Sequence, residues 1–102
     1  MKKYDKLRNK LYDSTKGDNL RCGELRKLLK AFEFDVRDGA NGGHKIFNHP
    51  KISNWAGADF NCGHKESDPI KSFYKKKILQ IVDNFEIELR FILDGDENVC
   101  PL

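Results

Sequence analysis

Between Leu25 and Val36 the apolar residues change their spacing, and that change most restricts what the chain can fold into. Leu25, Leu28, Leu29 and Phe32 recur every three or four positions, which lines up one face of a helix. Phe32, Phe34 and Val36 then alternate with Glu33, Asp35 and Arg37, the pattern of a half-exposed strand. Arg26, Lys27 and Lys30 face away from the helical stripe. A helix that gives way to a strand points to a mixed fold.

The remaining elements follow the same signals. Tyr4, Leu7 and Leu11 predict a first helix that stops near Lys16-Gly17, and the second helix spans about Cys22 to Phe32. Asp38-Gly39-Ala40-Asn41-Gly42-Gly43 is a turn, rich in residues that tolerate positive φ. His44 to His49 reads as a second strand ended by Pro50, and Ala56, Ala58, Phe60 and Cys62 alternate as a third. Asp68 as cap and Pro69 in the first turn open a long helix, with Ile70, Phe73, Tyr74, Ile78, Ile81, Val82 and Phe85 on its buried face. Lys71, Lys75 and Lys76 are expected off that face. Ile87, Leu89, Phe91 and Leu93 fit a strand, whereas Phe85, Leu89, Ile92 and Leu93 fit a helix. Asp83-Asn84 is a weak helix interior, which favours a break and then a strand. The expected fold is α+β: a three-stranded antiparallel sheet with helices packed on one face, in a single domain over residues 1–102.

No apolar run approaches the roughly 20 residues of a membrane helix, and the charged start Met1-Lys2-Lys3-Tyr4-Asp5 lacks the core of a signal peptide. No membrane is expected as a partner. Cys22, Cys62 and Cys100 are an odd number without a dense framework and read as reduced intracellular thiols, hence a cytoplasmic protein. The net charge is +3, but it is unevenly spread. Residues 1–30 carry ten Lys/Arg against four Asp/Glu, and residues 69–85 carry four against one. Two basic segments of this kind suit a phosphate-facing surface, although lysines also simply solvate helix faces.

The chemistry concentrates in Asn41-Gly-Gly-His-Lys-Ile-Phe-Asn-His-Pro50. Imidazole titrates near neutral pH and can both take and give a proton. Gly42 and Gly43 remove side-chain bulk and let backbone N–H groups approach a phosphate, and Lys45 is placed to balance its charge. Metal-free RNA cleavage needs these parts: a deprotonated 2′-hydroxyl, a protonated leaving oxygen and stabilised charge on phosphorus. His64, at the end of the third strand, is a candidate acid–base partner for His44. Trp55, Phe47 and Tyr74 are candidates for stacking on single-stranded bases, or for ordinary packing. A lone strand histidine is also often structural, and His49-Pro50 reads as a strand end. One Cys-x-His pair falls far short of a zinc site, so no metal and no cofactor is expected.

The segment Leu25-Arg-Lys-Leu-Leu-Lys-Ala-Phe-Glu-Phe-Asp-Val-Arg37, followed by Gly42-Gly-His-Lys-Ile-Phe-Asn-His-Pro50, resembles the HicA toxins of type II toxin–antitoxin systems. Tyr4 to Leu11 is similar to an extra N-terminal helix of that family, and Ser72 to Val82 to its last helix. The likeness covers about residues 4–84 and leaves 85–102 as a C-terminal extension. It implies a double-stranded-RNA-binding-like fold, endoribonuclease activity on mRNA, and neutralisation by a HicB-like antitoxin. It also implies that His44 is catalytic. The basic segment 69–85 beside the glycine-rich turn adds Lys71, Lys75 and Lys76 to Gly42, Gly43 and Lys45 as the expected RNA- or phosphate-binding set. Gly43 stands where the family usually has serine, and Asn54 to Phe60 lacks the family's basic hairpin and proline. The rival readings are a non-catalytic RNA-binding module on the same fold and a module whose only ligand is the antitoxin.

Overall fold

One residue makes the change of spacing. Helix α2 (Cys22–Ala31) buries Cys22, Leu25, Leu28 and Leu29, and Glu33 then adopts a left-handed backbone with φ of 70°. The Phe34 N–H returns to the Leu29 carbonyl at 2.9 Å and the Glu33 N–H to that of Lys30 at 2.9 Å. This is a Schellman-type helix end made without glycine. The chain leaves it extended, as strand β1 (Asp35–Asp38). The structure is a computed structural model and describes residues 2–17, 20–40, 42–63, 65 and 67–95.

Strands β2 (His44–Asn48) and β3 (Ala58–Asn61) complete an antiparallel sheet in the order β1-β2-β3. The α+β class and the three-stranded antiparallel sheet are as expected. Arg37 pairs with Ile46 and Ile46 with Asp59, while Val36 pairs with Phe47 and Phe47 with Ala58. Alternation along β2 therefore sends Lys45 and Phe47 inward and His44, Ile46 and Asn48 to the opposite face. Phe47 and Phe60 are fully buried and join the helical stripes in one hydrophobic cluster. Trp55 packs on Phe34, Phe47 and Phe85, so Trp55 and Phe47 belong to the packing and not to a base-stacking surface.

Helix α1 (Lys3–Ser14) buries Tyr4 and Leu11 and is closed at both ends by the C-terminal half of the chain. At its start the Asp94 carboxylate accepts the Lys3 N–H at 2.9 Å and the Tyr4 N–H at 3.4 Å, doing what a cap residue would do. At its end the Lys75 ammonium donates to the Ser14 carbonyl at 3.0 Å and to that of Gly17. Orphan carbonyls and the negative end of the helix dipole both favour a cation there.

Four expectations are corrected. The third helix, α3 (Ser72–Asn84), begins later than Asp68-Pro69. Pro69 instead bridges Arg21, and the Ile70 N–H bonds the Leu20 carbonyl at 2.9 Å, holding this segment extended. Phe73 is 58% exposed, while Lys75 is fully buried on the inner face. The segment after Phe85 is a helix, α4 (Glu86–Asp94), and not a strand. Leu89 is buried, and Phe85, Ile92 and Leu93 pack against the core at helical spacing; Ile87 and Phe91 stay exposed. Arg90 ties α4 to α1 through Asp5 at 2.8 Å. Finally, Cys22 and Cys62 are joined in a disulfide with a Cα–Cα distance of 5.3 Å, not free thiols. The first residue of α2 is also tied to the segment before α3, since its N–H bonds the Asp68 carbonyl at 3.1 Å. Cys100 lies outside the described residues.

Candidate functional site

The β1–β2 connection is closed by the Gly39 N–H donating to the His44 carbonyl at 2.8 Å. A Cβ on Gly39 would lie 2.4 Å from His44 Nδ1 and 2.9 Å from its Cγ. The imidazole thus rests against bare backbone, and any side chain at position 39 displaces it. Gly43 is needed for a different reason. The Cys62 N–H donates to the Gly43 carbonyl at 2.7 Å, and a Cβ on Gly43 would stand 2.2 Å from the Gly63 carbonyl oxygen. Backbone meets backbone there, so a serine at 43 cannot be accommodated without moving the Gly63 backbone just past β3. A Cβ on Gly42 would meet nothing within 4 Å, and packing does not require glycine at that position.

His44 Nε2 lies 2.7 Å from Asp59 Oδ2. The two are diagonal neighbours on the outer face, since His44 pairs with Asn61 and Ile46 with Asp59. Lys77 of α3 reaches the same carboxylate at 3.4 Å and the Asp59 carbonyl at 3.3 Å. The hydrogen bond from His44, helped by Lys77, holds the Asp59 carboxyl below the usual range, so it is a carboxylate at neutral pH. With Nε2 on that carboxylate, Nδ1 is the remaining ring nitrogen, and it has no hydrogen-bond partner among the described residues.

Beside this pair runs a cleft of about 730 Å³ that includes Gly42, Gly43, Asn61, Lys71 and Tyr74 in its lining. Asn61 Nδ2 donates to the Tyr74 hydroxyl at 3.3 Å. The structure therefore gathers Gly42, Gly43, Lys71 and Tyr74 around Asn61, the cross-strand partner of His44, while His44 and Asp59 are not among the residues lining the cleft. Lys76 is exposed on α3 but is not among the residues lining the cleft.

Two of the expected phosphate ligands are spent elsewhere. Lys45 is buried on the inner face, with its ammonium on Asp38, whose carboxyl this hydrogen bond holds below the usual range. Lys75 is the cap of α1 described above. Neither has an ammonium to offer a phosphate. His64 lies outside the described residues. His49 is 3% exposed, with Nε2 3.0 Å from the Phe32 carbonyl and Nδ1 accepting the Lys51 N–H at 3.2 Å.

Asp59, Asn61 and Lys77 were not singled out by the sequence. Asp59 and Asn61 had a legible signal: they alternate with the apolar Phe60, which places them on the face opposite the core. Only the register, which the sequence does not give, brings them to His44.

Among the described residues no three His, Cys, Asp or Glu side chains cluster as a metal site, and no helix is long and apolar enough to cross a membrane. Comparison with family models, curated proteins and solved structures finds no match to this chain.

Proposed function

We propose that the protein is a small endoribonuclease of the HicA type, acting on mRNA with His44 as its acid–base residue. The observation that carries this reading is the 2.7 Å contact between His44 and Asp59 on the open face of the sheet, beside a cleft with a lysine in its wall. The helix–strand–strand–strand–helix order of α2 to α3 suits the double-stranded-RNA-binding-like arrangement that the sequence resemblance implies.

The chemistry is acid–base catalysis. Asp59 accepts a hydrogen bond from Nε2–H without taking the proton, which leaves the Nδ1 lone pair to remove the proton of a ribose 2′-hydroxyl. The 2′-oxygen then bonds to phosphorus, and the bond from phosphorus to the 5′-oxygen breaks. The proton on Nδ1 passes to that leaving oxygen and restores the neutral ring. Asp59 stabilises the imidazolium formed in between. Lys71 places a cation by the phosphate, where it offsets charge in the transition state. Control belongs to a HicB-like antitoxin, a partner that occludes His44 and the cleft together.

The test is product analysis of single-stranded RNA incubated with the purified chain in excess chelator. Cleavage should persist and leave a 2′,3′-cyclic phosphate and a 5′-hydroxyl. Cleavage that stops in chelator and returns with magnesium contradicts the proposed chemistry. Equal RNA binding by the parent and His44→Ala, with cleavage by neither, supports the RNA-binding module instead.

A further inference from the structure

Resting on that reading, we propose that the cleft beside His44 seats one nucleobase of the RNA strand, stacked on the Phe73–Tyr74 ring pair and read at its edge by Asn61. Phe73 and Tyr74 lie with ring centroids 4.0 Å apart and planes inclined at 34°. Tyr74 is half-buried in the cleft wall, while Phe73 is 58% exposed. The two tilted rings therefore present an aromatic pair at the edge of the cleft, Tyr74 in its wall and Phe73 outside its lining and open to solvent, and aromatic side chains of this kind are what single-strand binders use for any base.

Asn61 supplies the other half of recognition. One Nδ2 hydrogen goes to the Tyr74 hydroxyl at 3.3 Å, which leaves a second N–H and the side-chain carbonyl. An adjacent donor and acceptor of this kind match the edge of a base. Asn61 is also the cross-strand partner of His44, roughly 5 Å away between Cα atoms. A base held there belongs to the nucleotide at the reacting phosphate or to its immediate neighbour. The Lys71 ammonium, on the same cleft wall, has no partner among the described residues and is available to the phosphate. An aromatic pair, an amide with a donor and an acceptor to spare and a cation without a partner among the described residues, all around one cleft, fit a nucleotide better than the apolar face of a protein.

The test uses the full chain carrying His44→Ala, so that substrate survives, and measures binding of labelled six-nucleotide RNAs that differ at one base. Phe73→Ala should weaken binding by roughly tenfold or more, with an unchanged melting temperature because the ring is exposed, and Phe73→Trp should retain it. Asn61→Asp replaces a donor by an acceptor and should change which base binds best, by roughly tenfold. Affinity and base preference that stay the same in both Phe73→Ala and Asn61→Asp overturn the proposal, as does the absence of RNA binding altogether. A wild-type chain that cleaves RNA while these variants change nothing removes the subsite and keeps the ribonuclease. A chain that never cleaves, but loses base-dependent binding with Phe73→Ala, keeps the subsite and removes the catalytic role.

Discussion

Two histidines stand five residues apart at β2, and the odd spacing puts them on opposite faces of the sheet. His49 points inward. Its ring packs on Phe34 at 5.0 Å, and backbone groups of Phe32 and Lys51 occupy both nitrogens. Burial pushes its pKa below the ordinary value, and a ring that accepts at Nδ1 and donates at Nε2 is neutral with a fixed tautomer. His44 points outward. A carboxylate holds one of its nitrogens, the other has no partner among the described residues, and its side chain is 28% exposed. The same residue type is a structural plug in one place and a candidate acid–base group in the other. What differs is whether the surroundings are backbone amides or a charge.

The largest expected effect breaks the comparison at His49. His49→Ala leaves a cavity, an unpaired Phe32 carbonyl and an unpaired Lys51 N–H, and should cost about 3 kcal/mol in urea unfolding. His44→Ala should stay within about 1 kcal/mol of the parent, as surface substitutions do. Equal losses would erase the distinction between plug and reactive group.

Asp59→Asn sharpens the other side. The amide keeps roughly the shape of the carboxylate but not its charge, so cleavage should fall roughly 10²-fold. An unchanged rate would show that Asp59 does not support His44. The lysines of α3 divide in the same way as the histidines. Lys75→Ala uncaps α1 and should cost about 2 kcal/mol, whereas Lys71→Ala should leave stability alone and weaken RNA binding in a salt-dependent way.

The smallest effect is in pH. The folded-state pKa of His49 lies below its unfolded value of about 6.5. Below that pH the unfolded chain binds more protons, so stability should fall as pH drops through about 6.5. Asp59, with its depressed carboxyl, contributes in the same direction only near pH 4 and below. Unfolding free energies at pH 7.5 and 5.5 measure the His49 part, and a flat profile would mean that the buried ring accepts a proton.

Much of this was legible in the sequence, and for physical reasons. The change of period at Phe32 fixed α2, and the glycine-rich turn fixed the hairpin and the place of His44. What was lost depended on long-range contacts. Lys75 looked like a surface lysine because a lysine at the inner edge of a helix is normally solvated. Only the docking of α1, whose last carbonyls need a cation, explains its burial. The segment from Ile87 to Leu93 satisfied both periods, and the choice fell to which residues α1 could cover. Asp59 was hidden by register, and the Cys22–Cys62 pair by a sequence separation of 40 residues.

The most direct test of the account is the rate of single-stranded RNA cleavage by the parent and by His44→Ala, purified in parallel and matched for thermal unfolding. The account predicts a fall of roughly 10² to 10⁴-fold at unchanged stability, the usual worth of a positioned acid–base group. Equal rates in the two proteins would contradict it.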